Sequence, residues 1–537
     1  MKKMLLLLLA GFTLTAAHAQ QKTDKAEVTE GPEVPKKGSF LNDVIGHDES
    51  GYYIQRNVKK KIFLEHIDKQ TLTADRTIEI PKLDYNGNKR EYEYTRMIGK
   101  TIYLFSSVND KETKTNYFFA QKVDPKDLSI DPELKKIYSG TYETRSEGIY
   151  NTIPVIVSPD ETKILTYRGL NKRKDESNER ILYTVFDDKF KQLWEEEVEF
   201  PYPADMFSVY TTRLGDDGNI YVKGVEYQTK EERKASRREG KQQYTYHLLV
   251  FKAKSKTPKD YKIQLEEGKF ITDMQIELAP TGNLVAAGFY SNKGSSSVKG
   301  AFYMSIDAET RQVLKQKTTE FPLDFITQNM TEREKKQAEK KEKKGKEPEL
   351  LEFDLDDIVM QSDGGVTLIA EQFFIRVVTT TTTSSNGSTT TRTTYHYYYN
   401  DIIALSFNGD GTLAWKCKIP KRQHTVNDGG YYSSYAYAAV GDKLYFVFND
   451  NPKNLFLKDG EVPYASFRKK EIAVSITEVN ANTGKTEREL LFTTERGDIL
   501  ILPKACVQSG DKEMLLYGER RRKTYQFSRV EFKTRKK

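Results

Sequence analysis

A chain of 537 residues with 30% charged residues and a formal net charge of +7 is mildly basic and well solvated, short of the charge density of a nucleic-acid-binding surface. Two cysteines are too few for a disulfide framework, and no stretch supplies the roughly 18 consecutive apolar residues of a membrane-spanning helix. The 33 Tyr and 27 Phe, set in short runs with Val, Ile and Thr, point to strands, and helical periodicity is almost absent.

The N-terminus reads MKKMLLLLLAGFTLTAAHAQ. Lys2 and Lys3 precede a short apolar run, and Ala17-His18-Ala19 follows as a cleavage signal, so residues 1–19 read as a signal peptide. The expectation is an exported protein of a bacterial envelope, periplasmic or extracellular. No Cys follows the apolar run, so it does not read as a lipoprotein. Residues 20–39 form an N-terminal segment, and AEVTEG (26–31) is a candidate closing strand within it.

From residue 40 to 537 one pattern recurs eight times: apolar run, tight polar turn, apolar run. It falls at 43–55, 95–105, 155–167, 211–224, 276–288, 358–371, 437–448 and 505–518. A third strand follows each unit, and a more polar fourth follows seven of them. A four-stranded antiparallel unit repeated around an axis is a β-propeller blade. The fold class is therefore all-β, a propeller of about eight four-stranded blades, with seven as the alternative count. The last unit lacks a fourth strand, which residues 26–31 could supply; a three-stranded last blade is the alternative.

Trp194 and Trp415 stand at equivalent fourth-strand positions, in DDKFKQLWEEEVEF and NGDGTLAWKCKIP. This resembles the docking strand of tryptophan-docking and WD40-like bacterial propellers. The resemblance implies a fold and an envelope location, and no activity.

In such a meander, connections between second and third strands share one face with those between blades. The long segments 168–180, 227–244, 291–300, 325–352 and 448–470 all fall on that face, leaving the other plain. Within 330–349, Thr331 and Glu334 form a capping box and Gly345 a stop, which predicts a charged helix projecting into solvent. The Thr-rich stretch 377–401 reads as a long hairpin. Its turn is placed at Asn386-Gly387, two residues of type I′, pairing Ser385 with Ser388, Thr382 with Thr391 and Val378 with Tyr395. A disordered loop or a glycosylated stalk remains the alternative.

Chemistry is sparse. His47, His66, His247, His396 and His424 form no metal-ligand spacing, and no G-x-S-x-G, P-loop or dinucleotide fingerprint occurs. No cofactor, metal or nucleic-acid partner is expected, and no catalytic residue stands out. Cys417 and Cys506 fall on different strands and read as buried small residues, with pairing left open. The best local constellation joins segments 421–435 and 448–454: Arg422, His424, Asn427, Asp428, Tyr431, Tyr432, Asn449, Asp450 and Asn454. Amides, carboxylates and Tyr rings suit a glycan or a peptide, although Asn-Asp-Gly-Gly and Asn-Asp-Asn-Pro are also ordinary turn formers. The expectation is a non-enzymatic binding or scaffold propeller, a monomer or part of a complex, engaging an envelope protein through its loop-elaborated face. The alternative is a carbohydrate-binding or carbohydrate-cleaving propeller.

Overall fold

The computed structural model describes residues 20–142, 153–170, 178–239, 242–292, 297–310, 312–344, 348–467, 470–495, 497–520 and 522–533. The signal peptide read at 1–19, the helix stop at Gly345 and parts of the loops 168–180 and 291–300 lie outside the described residues.

Among the described residues, the strands form eight sheets of four or more strands and one two-stranded sheet. Each of the eight sequence repeats is an antiparallel hairpin opening one large sheet, as in Val155–Val157 with Lys163–Gly169 or Ala436–Val440 with Lys443–Asp450. First strands of neighbouring sheets lie against one another. Val507–Gly510, for example, touches both Ala436–Val440 and Ser39–His47. That contact places the first strands nearest the axis of a β-propeller.

The cores are the spaces between consecutive sheets, eight buried clusters among the described residues. One of them joins the last sheet to the first: Leu515, Tyr517 and Phe527 pack with Tyr52, Ile54 and Ile67. Strands covered on both faces are apolar throughout; every residue of Leu284–Ser291 and Gly300–Ile306 is buried. The fourth strands are largely polar, as in Val313–Glu320.

The N-terminus closes the ring. Ala26–Glu30 pairs antiparallel with Thr524–Phe532, from Ala26 opposite Phe532 to Glu30 opposite Ser528. Ala26 and Val28 are fully buried in the core between the seventh and eighth sheets. Closure leaves the last sheet no open outer edge at this strand.

The elaborations share one face. Helix α1 (Lys230–Glu239) fills the segment the sequence reading left as a loop. Its start is a Thr-x-x-Glu box: the Thr229 hydroxyl donates to Glu232 (2.9 Å), and the Glu232 amide donates back to it (3.3 Å). Helix α2 (Leu323–Thr327) precedes α3 (Glu332–Glu342), which carries the expected Thr331–Glu334 capping box. The two helices touch, and Ala338 is buried, so α3 is not wholly surrounded by solvent as the sequence implied.

The Thr-rich stretch is a ribbon of two strands, Val366–Thr383 and Thr389–Phe407. Its register differs by one residue from the sequence expectation: Val377 faces Tyr395, Thr381 faces Thr391 and Thr383 faces Thr389. The tip is a five-residue loop. The Ser384 amide donates to the Ser388 carbonyl and the Gly387 amide to the Ser384 carbonyl. Only Gly387, at φ +80°, occupies the left-handed region there, so Asn386 is spared the positive φ a type I′ turn would impose.

Trp415 is buried in the core between the sixth and seventh sheets. Its indole N–H donates to the Ala481 carbonyl (2.8 Å), and its ring covers Gly484 so closely that an added Cβ would overlap it. Cys417, in strand Leu413–Ile419, and Cys506, just before strand Val507–Gly510, are free thiols, and burial pushes both up to about 12.

Candidate functional site

The ribbon base is broadened by a third strand. Gln423–Val426 pairs antiparallel with His396–Tyr399, laying the segment 421–426 along the ribbon. Period-2 alternation on these three strands puts Phe374, Tyr398 and His424 on one face. Their rings stack in a row, Phe374 to Tyr398 at 4.5 Å and Tyr398 to His424 at 4.4 Å, with interplanar angles of 12° and 8°. His396 continues the row, 5.3 Å from His424, its Nδ1 3.0 Å from the His424 Nε2.

This aromatic row walls a cleft of about 430 Å³. The opposite side comes from the α2–α3 insertion, through Ile326, Asn329 and Glu334, with Leu350 and Phe353 behind it. A third side is the connection after Asp450, through Val462, Pro463 and Ala465. Thus three separate insertions, each on a different connection, enclose one hollow.

The floor is polar and desolvated. Lys418 is 6% exposed; its ammonium donates to the Ile326 carbonyl (3.2 Å) and sits 5.0 Å over the Phe325 ring. Burial pushes it down to about 8, opposed by the nearby Asp401 carboxylate. Asp401 accepts from the Lys421 amide (3.1 Å) and the Asn329 side chain (3.3 Å), and burial raises its pKa. Fully buried Lys421 donates to Glu371 (2.5 Å), the Tyr399 carbonyl and Gln423. Asn400 donates to Gln372 (3.2 Å), while its own Oδ1 is buried and accepts no hydrogen bond among the described residues. An unpaired buried acceptor is costly.

Of the nine residues singled out from the sequence, four line one of two hollows and five line neither. Arg422 and His424 line this cleft. His424, Asp428 and Tyr432 line a second hollow of about 490 Å³ across the added strand, with Phe467, Asp498 and Leu500. Asn427 pairs with the Tyr395 backbone, donating through its amide (2.9 Å) and accepting through its side chain (2.9 Å). Tyr431 donates to Glu519 (3.1 Å) beneath Arg522.

Like Asn427 and Tyr431, the residues Asn449, Asp450 and Asn454 line neither cavity. All three are buried: Asn449 donates to the Tyr432 and Ile501 carbonyls, Asp450 pairs with Arg488 (3.0 Å), and Asn454 clamps Tyr464. They hold the loop together as turn and core residues. Phe374, Tyr398, Asn400, Asp401 and Lys418 went unread, although the alternation in QFFIRVV and TYHYYYND marks Phe374 and Tyr398 as facing the same way.

No family model matches the chain, and no curated protein matches it. Among solved structures, it is similar to the WD40 domain of SCAP from fission yeast (TM-score 0.37, 8% identity, 94% of this chain and 98% of that one). It is also similar to the Dos1 propeller (0.39, 8%, 93% and 95%) and to the polysaccharide lyase Uly1 (0.32, 9%, 84% and 94%). At these identities the likeness concerns the fold alone. Among the described residues, no helix is long and apolar enough to cross a membrane.

Proposed function

We propose that this chain is a non-enzymatic binding or scaffold propeller of a bacterial envelope that holds a protein partner through its loop-elaborated face. The observation that carries this reading is the cleft at the ribbon base. Three insertions enclose it, and the stacked rings of Phe374, Tyr398 and His424 form one of its walls. An extended peptide offers backbone N–H and C=O groups to the cleft's polar lining and apolar side chains to Phe374, Leu350 and Pro463. The leader-like residues 1–19 support an exported location.

The test is a crosslinking pull-down from the native cell with three forms of the full chain. The parent and the surface control Glu309→Gln recover the same partner; Asn400→Leu, with an unchanged melting temperature, loses it. Equal recovery by all three rejects the reading. A glycan reading rests on the second hollow, where Asp428, Asp498 and the Tyr432 ring converge. A glycan array, paired with a reducing-sugar assay and the Tyr432→Ala variant, decides between the two.

A further inference from the structure

The same face has a second, different half. The turns between second and third strands in the first and last sheets are short and bare. Lys59-Lys60 links Gly51–Val58 to Lys61–Asp68, and Arg522-Lys523 leads into Thr524–Phe532 in the last sheet. The chain entry runs between them. The Lys36 amide donates to the Lys523 carbonyl (2.7 Å), residues 36–39 close a tight turn through the Ser39 amide and the Lys36 carbonyl (2.7 Å), and Ser39 pairs with Val58. Each step is a bonded neighbour, so Arg522, Lys523, Lys37, Lys59 and Lys60 form a strip within about 20 Å. All five are exposed.

The local carboxylates do not neutralise this strip, because other cations hold them. Glu33 and Asp498 pair with Arg520 (2.7 and 3.1 Å), Glu519 with buried Lys36, and Glu79 with Lys61 (2.7 Å). Lys37, Lys59, Lys60 and Lys523 make no ion pair among the described residues, and Arg522 instead covers the Tyr431 ring at 5.0 Å. Five like charges within about two screening lengths repel one another and draw counter-anions. Phe40, 46% exposed, lies on the neighbouring strand opposite Asn57 and adds an apolar contact.

We propose that this strip is a docking surface for an acidic segment of a partner polypeptide. Four of the five cations are lysines, point charges on flexible stems, spread along a line rather than converging in a fork suited to a phosphate group. A line of cations beside an exposed aromatic ring suits alternating carboxylates and apolar side chains on an extended chain. The strip lies outside the Asn400 cleft, so it stands or falls independently of that reading.

The test is fluorescence anisotropy of the full chain with a labelled Glu-Glu-Phe repeat peptide, with a Gln-Gln-Phe peptide, inorganic polyphosphate and dextran sulfate as comparisons. The expected result is binding of the acidic peptide that weakens about tenfold or more in the Lys59→Glu/Lys60→Glu variant and falls steeply with added salt. Phe40→Ser weakens the peptide several-fold and leaves any polyphosphate binding unchanged. Melting temperatures of the variants match the parent, and Asn400→Leu binds the peptide as the parent does. Binding that survives the charge reversal, equals that of the Gln-Gln-Phe peptide, or occurs only with polyphosphate or dextran sulfate overturns the proposal.

Discussion

Lys418 shows what a single buried charge does to the pH response of the fold. Its ammonium is held down to about 8 by burial, while an unfolded lysine titrates near about 10.4. Between those values the unfolded chain binds more protons than the folded one, so this residue makes stability rise with pH from about 8 to about 10. Below about 8 both states carry the charge and the full penalty remains. Lys418→Met should therefore flatten that rise, a difference on the order of 2–3 kcal/mol across the window, read from denaturation midpoints at pH 7 through 10. Parallel curves for variant and parent would show that the ammonium is not desolvated as described. The two thiols make a simpler case. With both pushed up to about 12, Cys417 and Cys506 should stay silent to a thiol reagent at pH 8 and react stoichiometrically once the chain is unfolded.

At the scale of the element, the ribbon tip is the sharpest test. Gly387 has open space around a would-be Cβ but sits at φ +80°, so its cost to a larger residue is conformational rather than steric. Gly387→Val should cost roughly 1–3 kcal/mol locally and fray the tip. The inter-sheet cores lie elsewhere, so the melting temperature should not move while proteolytic nicking between Thr381 and Thr391 increases. Equal cutting of parent and variant would mean that the tip strands are not held. The ribbon's existence was legible in its β-branched runs around Asn386-Gly387, but its register was not. Runs of identical threonines pair equally well one residue apart, and only the five-residue loop breaks the tie. The strand Gln423–Val426 was illegible for a similar reason: it is four residues long, and only its partner's ladder makes it a strand. Helix α1, by contrast, has a legible start in Thr229-Lys230-Glu231-Glu232, but its run of charges has no apolar stripe to set it apart from a loop.

At the scale of the whole molecule, the eight hairpins were readable because each repeats the same physical bargain, two apolar strands around a turn. The cleft was not readable, because its walls come from segments more than a hundred residues apart in the chain, between Ile326 and Ala465. Closure was readable in part: AEVTEG had the composition of a strand, and the final unit lacked one. Its energetic weight can be measured. Val28 is fully buried between two sheets, so Val28→Asp should destabilise the fold by at least about 3 kcal/mol, whereas Thr29→Asp, on the less buried side, should cost far less. The melting temperatures of the two variants decide this, and light scattering should report association through the uncovered edge of Thr524–Phe532 in the first variant alone.

That closing pair also sets an order of events. The Gly31 carbonyl accepts from the Gln526 side chain 495 positions away, and the strand beside it pairs with Thr524–Phe532. A chain emerging from its N-terminus must carry this strand unplaced while seven sheets assemble behind it. The first segment to appear is then among the last to settle, and the ring latches only when the opposite terminus arrives. Until that strand pairs, the fold is committed nowhere along its seam.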